Sequence, residues 1–154
     1  CVLQKDAPVL QMPIPAGGKM TPEACRESLL EAREFFRTYC PEENVRAVTC
    51  ASWIFSNLLE EILPEDANLN HFLREICLEP RSASGFDGLW FVFLERGAID
   101  PATARRDTSL QRRILSFLEG GGRWRHGGMF ILLDDLDRYG SNIYRANWPP
   151  VGQG

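Results

Sequence analysis

TSLQRRILSFLEGGGRWRHGGMF, residues Thr108–Phe130, carries the strongest local structural signals of the chain. Thr108 stands where a helix N-cap would, with Gln111 three residues on, as in a capping box. Leu110, Ile114, Leu115, Phe117 and Leu118 then recur at helical spacing. Gly120, Gly121 and Gly122 stop the helix, because glycine enters the left-handed conformation without a Cβ penalty. Upstream, GLWFVFLE (Gly88–Glu95) reads as a strand. Every residue of Leu89–Leu94 is apolar, which suits a central strand covered on both faces. Downstream, GMFILL (Gly128–Leu133) reads as another buried strand. The segment is therefore strand, loop, helix, strand.

Outward from this segment the same alternation continues. Pro8–Pro15 reads as a strand whose prolines suit a sheet edge. The loop AGGK leads to Thr21, which can cap a helix with Pro22 at its first position. Cys25, Leu29, Ala32, Phe36 and Tyr39 form the apolar stripe of that helix, and Pro41 ends it. Val45–Phe55 has strand propensity, with Val48, Cys50 and Ser52 on one face. Asn57–Ile62 and Asn68–Ile76 read as two short helices separated by Pro64, and Cys77–Glu79 as a brief strand. The tail loses periodicity and gains Gly, Asn and Pro, so residues 1–142 are expected to form one domain and 143–154 a flexible extension. The predicted class is α/β, a mixed β-sheet with flanking helices.

At 154 residues the chain is long enough for one domain with a real core and too short for two ordinary ones. A net charge of −4 argues against broad nucleic-acid binding, which needs a basic face. Yet Arg105, Arg106, Arg112, Arg113, Arg123 and Arg125 crowd one short region, as a solvated face or a ligand patch would. No apolar run approaches the roughly 18 residues of a membrane span. The five cysteines are odd in number, widely spaced and form no CxxC, as expected of reduced thiols in a cytoplasmic protein. The opening on Cys1 rather than Met suggests an excised piece of something longer.

The FVF strand followed by TSLQRRIL-x-x-L-x-x-GG-x-WR resembles the C-terminal, GNAT-like domain of bacterial two-domain acyltransferases. Three further segments fit that family: P-I-P-A-G-G (Pro13–Gly18) with T-P-E-A-C-R (Thr21–Arg26), C-x-S-W (Cys50–Trp53), and L-P-E-D-A-N-L (Leu63–Leu69). Together they cover roughly Pro8 to Leu133 in matching order. The resemblance implies a GNAT-like fold, acyl-CoA as co-substrate, an acceptor that it does not identify, and a further N-terminal domain in the same polypeptide. One departure stands out. The usual GNAT pyrophosphate loop, Gln/Arg-x-x-Gly-x-Gly/Ala, is absent, and ARRDTSLQ (Ala104–Gln111) occupies its place.

Candidate site residues follow from both lines. A helix N-terminus facing Arg105 and Arg106 is an anion site in outline, because unpaired amides and the helix dipole favour negative charge. Arg105, Arg106, Thr108, Ser109, Gln111 and Arg112 are thus the candidates for holding the phosphates of coenzyme A. Glu95, at the end of the expected central strand, could deprotonate an attacking amine. A solvated strand-end acid beside Arg96 is the plainer reading.

Other chemistry is less well supported. Cys50 and Ser52 lack a nearby histidine, and a small thiol on an apolar face is usually core. Trp53 and Trp90 read as core aromatics. His71 and His126 are too few for a zinc site with three protein ligands. Asp134, Asp135 and Asp137 lack the glycine and distal glutamate of a calcium loop and read as a charged turn, so no metal is expected. His126-Gly127-Gly128 lacks the Gly-x-Ser-x-Gly partner of a hydrolase. What remains is the donor half of a coenzyme A-dependent N-acyltransferase, an acceptor-binding half completed by another domain, or a non-catalytic binding domain that kept the fold.

Overall fold

The computed structural model describes residues 3–15, 20–82, 84–95 and 97–145. Strand β1 (Val9–Gln11) is short and is followed by helix α1 (Pro22–Tyr39). Thr21 caps α1 by accepting from the Ala24 amide at 3.3 Å, and Pro22 occupies its first turn. Strand β2 (Ala47–Ser52) runs straight into a 3-10 turn at Trp53–Phe55. Helices α2 (Leu59–Ile62) and α3 (Asn68–Arg74) come next, then strand β3 (Cys77–Pro80). Helix α4 (Leu89–Phe93) precedes helix α5 (Ser109–Glu119), strand β4 (Gly127–Leu132) and a 3-10 segment, Leu133–Arg138. The expected AGGK loop, residues 16–19, lies outside the described residues.

The four strands form one mixed sheet in the order β1-β2-β4-β3. β1 runs parallel to β2, with Leu10 opposite Val48. β4 is antiparallel to both of its neighbours; Gly127 faces Ser52 of β2 and Pro80 of β3. β4 is buried along nearly its whole length, as its uninterrupted apolar sequence predicts for an interior strand. Leu29 of α1, Phe72 and Leu73 of α3, and Ile114 and Leu115 of α5 join Val48, Cys50, Met129 and Ile131 in one core. Trp124 is fully buried and meets Phe117 edge-on, with ring centroids 6.3 Å apart.

One element departs from its sequence reading. Leu89–Leu94 is no central strand: Leu89–Phe93 is the short helix α4. A run that is apolar at every position carries no period, so it does not separate strand from helix. Burial shows the helical period, since Leu89 and Phe93, four apart, are fully buried while Trp90 and Phe91 point outward. Gly88 and Leu94 bracket the helix with φ of 73° and 59°, left-handed conformations that end regular structure on both sides. Trp90 is therefore a surface residue, 48% exposed, not core.

The expected flexible tail is described only at residues 143–145, which are tied to the domain. The Tyr144 hydroxyl accepts from the Leu132 amide at 2.9 Å and donates to Asp135 at 3.0 Å. Arg145 pairs with Glu60 at 2.8 Å. The rest of the expected tail, from residue 146, lies outside the described residues.

Candidate functional site

In open sheets, ligands gather beyond the carboxyl ends of the parallel strands. Here that edge is where β1, β2 and β3 end and β4 begins. Three segments are packed together there. Gly127 lies so close to the Phe55 carbonyl that a Cβ would collide with backbone. Gly88 comes against Trp53, where a Cβ would sit 2.7 Å from the tryptophan Cβ. The Trp124 amide donates to the Gly85 carbonyl at 2.9 Å, fastening the loop before α4 to the segment before β4.

Helix α5 reaches the same neighbourhood through its first turn. The capping box is present: the Gln111 amide donates to Thr108 Oγ1 at 3.1 Å, and the Thr108 amide donates to Gln111 Oε1 at 3.0 Å. Gln111 Nε2 also donates to the Val92 carbonyl of α4 at 3.0 Å, so a buried polar side chain welds the two helices. The capping box consumes the Thr108 and Gln111 amides, leaving those of Ser109 and Leu110 for any anion.

The arginines around this helix start are engaged within the chain. Arg105 pairs with Asp107 at 2.5 Å. Arg106 pairs with Glu119 and donates to the Pro101 carbonyl at 2.9 Å. Arg112 donates to the carbonyls of Arg106 and Asp107, at 2.7 and 3.2 Å, and Arg113 to that of Ile62. The two ion pairs are exposed, and such pairs contribute only about 0–1 kcal/mol, so a phosphate could replace the carboxylates at little cost.

Glu95 does not end a strand. It sits exposed, two residues beyond α4, and nothing among the described residues hydrogen-bonds it. Its sequence neighbour Arg96 lies outside the described residues.

A pair that sequence spacing did not reveal lies at the sheet edge. His126 Nδ1 is 3.8 Å from Asp87 Oδ1, with the two side chains 28% and 24% exposed. Asp87 Oδ2 accepts from the Ser84 and Gly85 amides at 2.5 and 3.3 Å. Burial works to raise the Asp87 carboxyl, but hydrogen bonds from the Ser84 amide and side chain and from the Gly85 amide together outweigh it and hold the group below the usual carboxylate range. Next to the pair, Glu79 is neutralised by Arg81 at 3.1 Å.

Elsewhere the bland readings stand. Cys50 is buried, and burial pushes its thiol up against an opposing hydrogen bond from Ala51, away from the thiolate a nucleophile needs. Cys25, Cys40, Cys50 and Cys77 are all free. Asp134 and Asp137 pair with Arg46 and Arg33, at 3.3 and 2.8 Å, and Asp135 with Tyr144. Among the described residues no group of three or more His, Cys, Asp or Glu could hold a metal ion. No described helix is long and apolar enough to cross a membrane. A cleft of about 410 Å³ between α1 and the 3-10 segment after β4, lined by Arg33, Phe36, Arg37 and Asp137, lies at the opposite end of the sheet.

The model of the GNAT-like C-terminal domain family matches residues 1–130. The chain belongs to this family. It is also similar to the crystal structure of an acyltransferase in complex with CoA and 10C-teicoplanin, at 34% identity and a TM-score of 0.73. A structure of an acyltransferase with decanoyl-CoA and teicoplanin matches at 34% identity and 0.73, and one of an acyltransferase mutant with octanoyl-CoA at 33% and 0.73. These matches cover 84%, 86% and 85% of this chain, but the chain spans only 42–43% of theirs. None of the curated proteins matches the chain.

Proposed function

We propose that this member of the family is the C-terminal domain of a coenzyme A-dependent N-acyltransferase, carrying an acyl group from acyl-CoA to an amine acceptor in the cytoplasm. One observation carries the reading: a third of the residues are identical, over most of the chain, to an acyltransferase held in complex with CoA. The phosphates of the donor are assigned to the start of α5. The Ser109 amide and the guanidinium groups of Arg105, Arg106 and Arg112 would face them, while Thr108 and Gln111 hold the turn in shape. Glu95 is the acid that the sequence offers for taking the amine proton, and it stands as one candidate base. A further domain of the same polypeptide would form the other wall, since ligand sites tend to lie at domain interfaces.

Thermal shift with CoA, acetyl-CoA and decanoyl-CoA tests the donor site, because a ligand that binds only the folded state raises Tm by mass action. A saturable rise is expected, and Arg106→Ala combined with Arg112→Ala should weaken binding at least about tenfold, since charge-assisted contacts contribute roughly 1.5–3 kcal/mol each. Binding that the double substitution leaves unchanged would place the phosphates elsewhere. Glu95→Gln tests the role that the sequence gives this carboxylate: turnover lost far more than binding would keep Glu95 as the base, and equal loss in both would make the residue structural. The missing glycine loop and the internally paired arginines favour a second reading, a non-catalytic domain that binds a ligand or partner. Binding without transfer, even in the complete polypeptide, would select it.

A further inference from the structure

Acyl transfer to an amine needs a group that takes the amine proton as the nitrogen attacks. Three side chains are candidates. Glu79 is spent on Arg81. Glu95 is exposed, and nothing among the described residues orients it. His126 is different: its Nδ1 is wholly buried, has no hydrogen-bond partner, and has Asp87 Oδ1 at 3.8 Å. Since the side chain as a whole is 28% exposed, the accessible part of the ring is the remainder, which carries Nε2. Asp87 is itself fixed by two backbone amides and kept ionised. A base oriented by a third group is the recurring arrangement for proton abstraction.

We propose that His126 is the general base of the acyl-transfer site and that Asp87 is its positioning residue. The inference rests on the acyl-CoA reading above. Asp87 holds the neutral imidazole with its proton on Nδ1, leaving the Nε2 lone pair directed outward. The acceptor nitrogen attacks the thioester carbonyl, a C–N bond forms, the C–S bond breaks, and the amine proton passes to Nε2. Coenzyme A leaves as the thiolate and recovers a proton from the imidazolium, so the products are amide and free thiol with the imidazole regenerated. The 3.8 Å separation is longer than a hydrogen bond, and apo geometry of this kind tightens when the site is occupied. The backbone tie between Trp124 and Gly85 holds the two segments in register, which limits how far the pair can part.

Two measurements separate the role of His126 from acyl-CoA use itself. The first is side-chain ¹⁵N NMR of His126 in this chain at about pH 8.5, above the ordinary histidine range. The Nδ1–H tautomer is expected in the wild type, with a shift towards Nε2–H in Asp87→Asn. A wild-type Nε2–H tautomer overturns the proposal whatever the activity. The second is release of coenzyme A thiol from decanoyl-CoA, with glucosamine as amine probe, by the chain alone and joined to its partner domain. His126→Ala should lower kcat about 100-fold or more with KM little changed, and added imidazole should restore part of the rate. A loss below threefold, or a large loss in Glu95→Gln instead, overturns the assignment while leaving the acyltransferase reading intact. No thiol release from wild type in either form overturns both.

Discussion

Two glycines show how single residues fix the edge on which the chemistry is placed. Gly127 passes the Phe55 carbonyl too closely for any side chain, and the obstacle is backbone that cannot turn aside. Gly127→Ala should therefore destabilise the domain by about 3 kcal/mol, at the upper end of overpacking costs, and a fall in the chemical-denaturation midpoint would register it. An unchanged midpoint would mean that β4 can slide away from Phe55. Asp87 makes a pH-dependent contribution whose sign is fixed by its amide partners. A carboxyl held below its ordinary value of 3.8 adds stability that is full above that pH and is lost as pH falls through the folded value. Asp87→Asn should thus cost about 1 kcal/mol at neutral pH, with its melting curve converging on wild type only in stronger acid. A gap that persists undiminished in acid would assign the loss to shape rather than charge.

Among the elements, α5 is tied to the loop before it, where Arg106 pairs with Glu119 in the last turn of the helix. That pair is exposed, so Glu119→Gln should leave Tm almost unmoved. It also releases Arg106, so coenzyme A affinity should rise if the phosphates sit at the helix start; isothermal titration showing unchanged affinity would argue that Arg106 faces no ligand. Thr108→Ala should instead cost about 1 kcal/mol of stability through the lost cap. The cap was legible in the sequence because its signal is local, a Thr and a Gln three residues apart. So were α1, with Thr21 and Pro22 at its start, and β4, with its apolar run. The identity of α4 was not legible, since Leu89–Leu94 is apolar throughout and only tertiary packing decides that Leu89 and Phe93 turn inward together. The loss of that strand removed the basis for placing Glu95 at a sheet edge. The Asp87–His126 pair escaped for another reason: the Gly85–Trp124 contact that unites it is long-range, and no spacing rule encodes it.

For the whole molecule, the balance of surface and length bears on activity. The chain spans 42–43% of the acyltransferases it matches, and its surface carries Trp90, Phe91 and Leu94 at 48%, 56% and 76% exposure, beside Phe86. Apolar side chains gathered in this way mark surfaces that meet a partner. They belong to α4, which Gln111 bonds to α5, so whatever covers them also stands beside the proposed donor site. The domain should therefore fold alone, since Leu59, Leu73, Leu115 and Trp124 already form a closed core, yet bind decanoyl-CoA weakly and transfer little. Joining it to the further domain proposed above should raise kcat/KM by orders of magnitude. Trp90→Ser with Phe91→Ser should abolish that gain while leaving the Tm of the isolated domain nearly unchanged, because neither side chain is buried there. Efficient transfer by the 154-residue chain alone would show that its site is complete without a second wall, and that the aromatic surface of α4 serves some other contact.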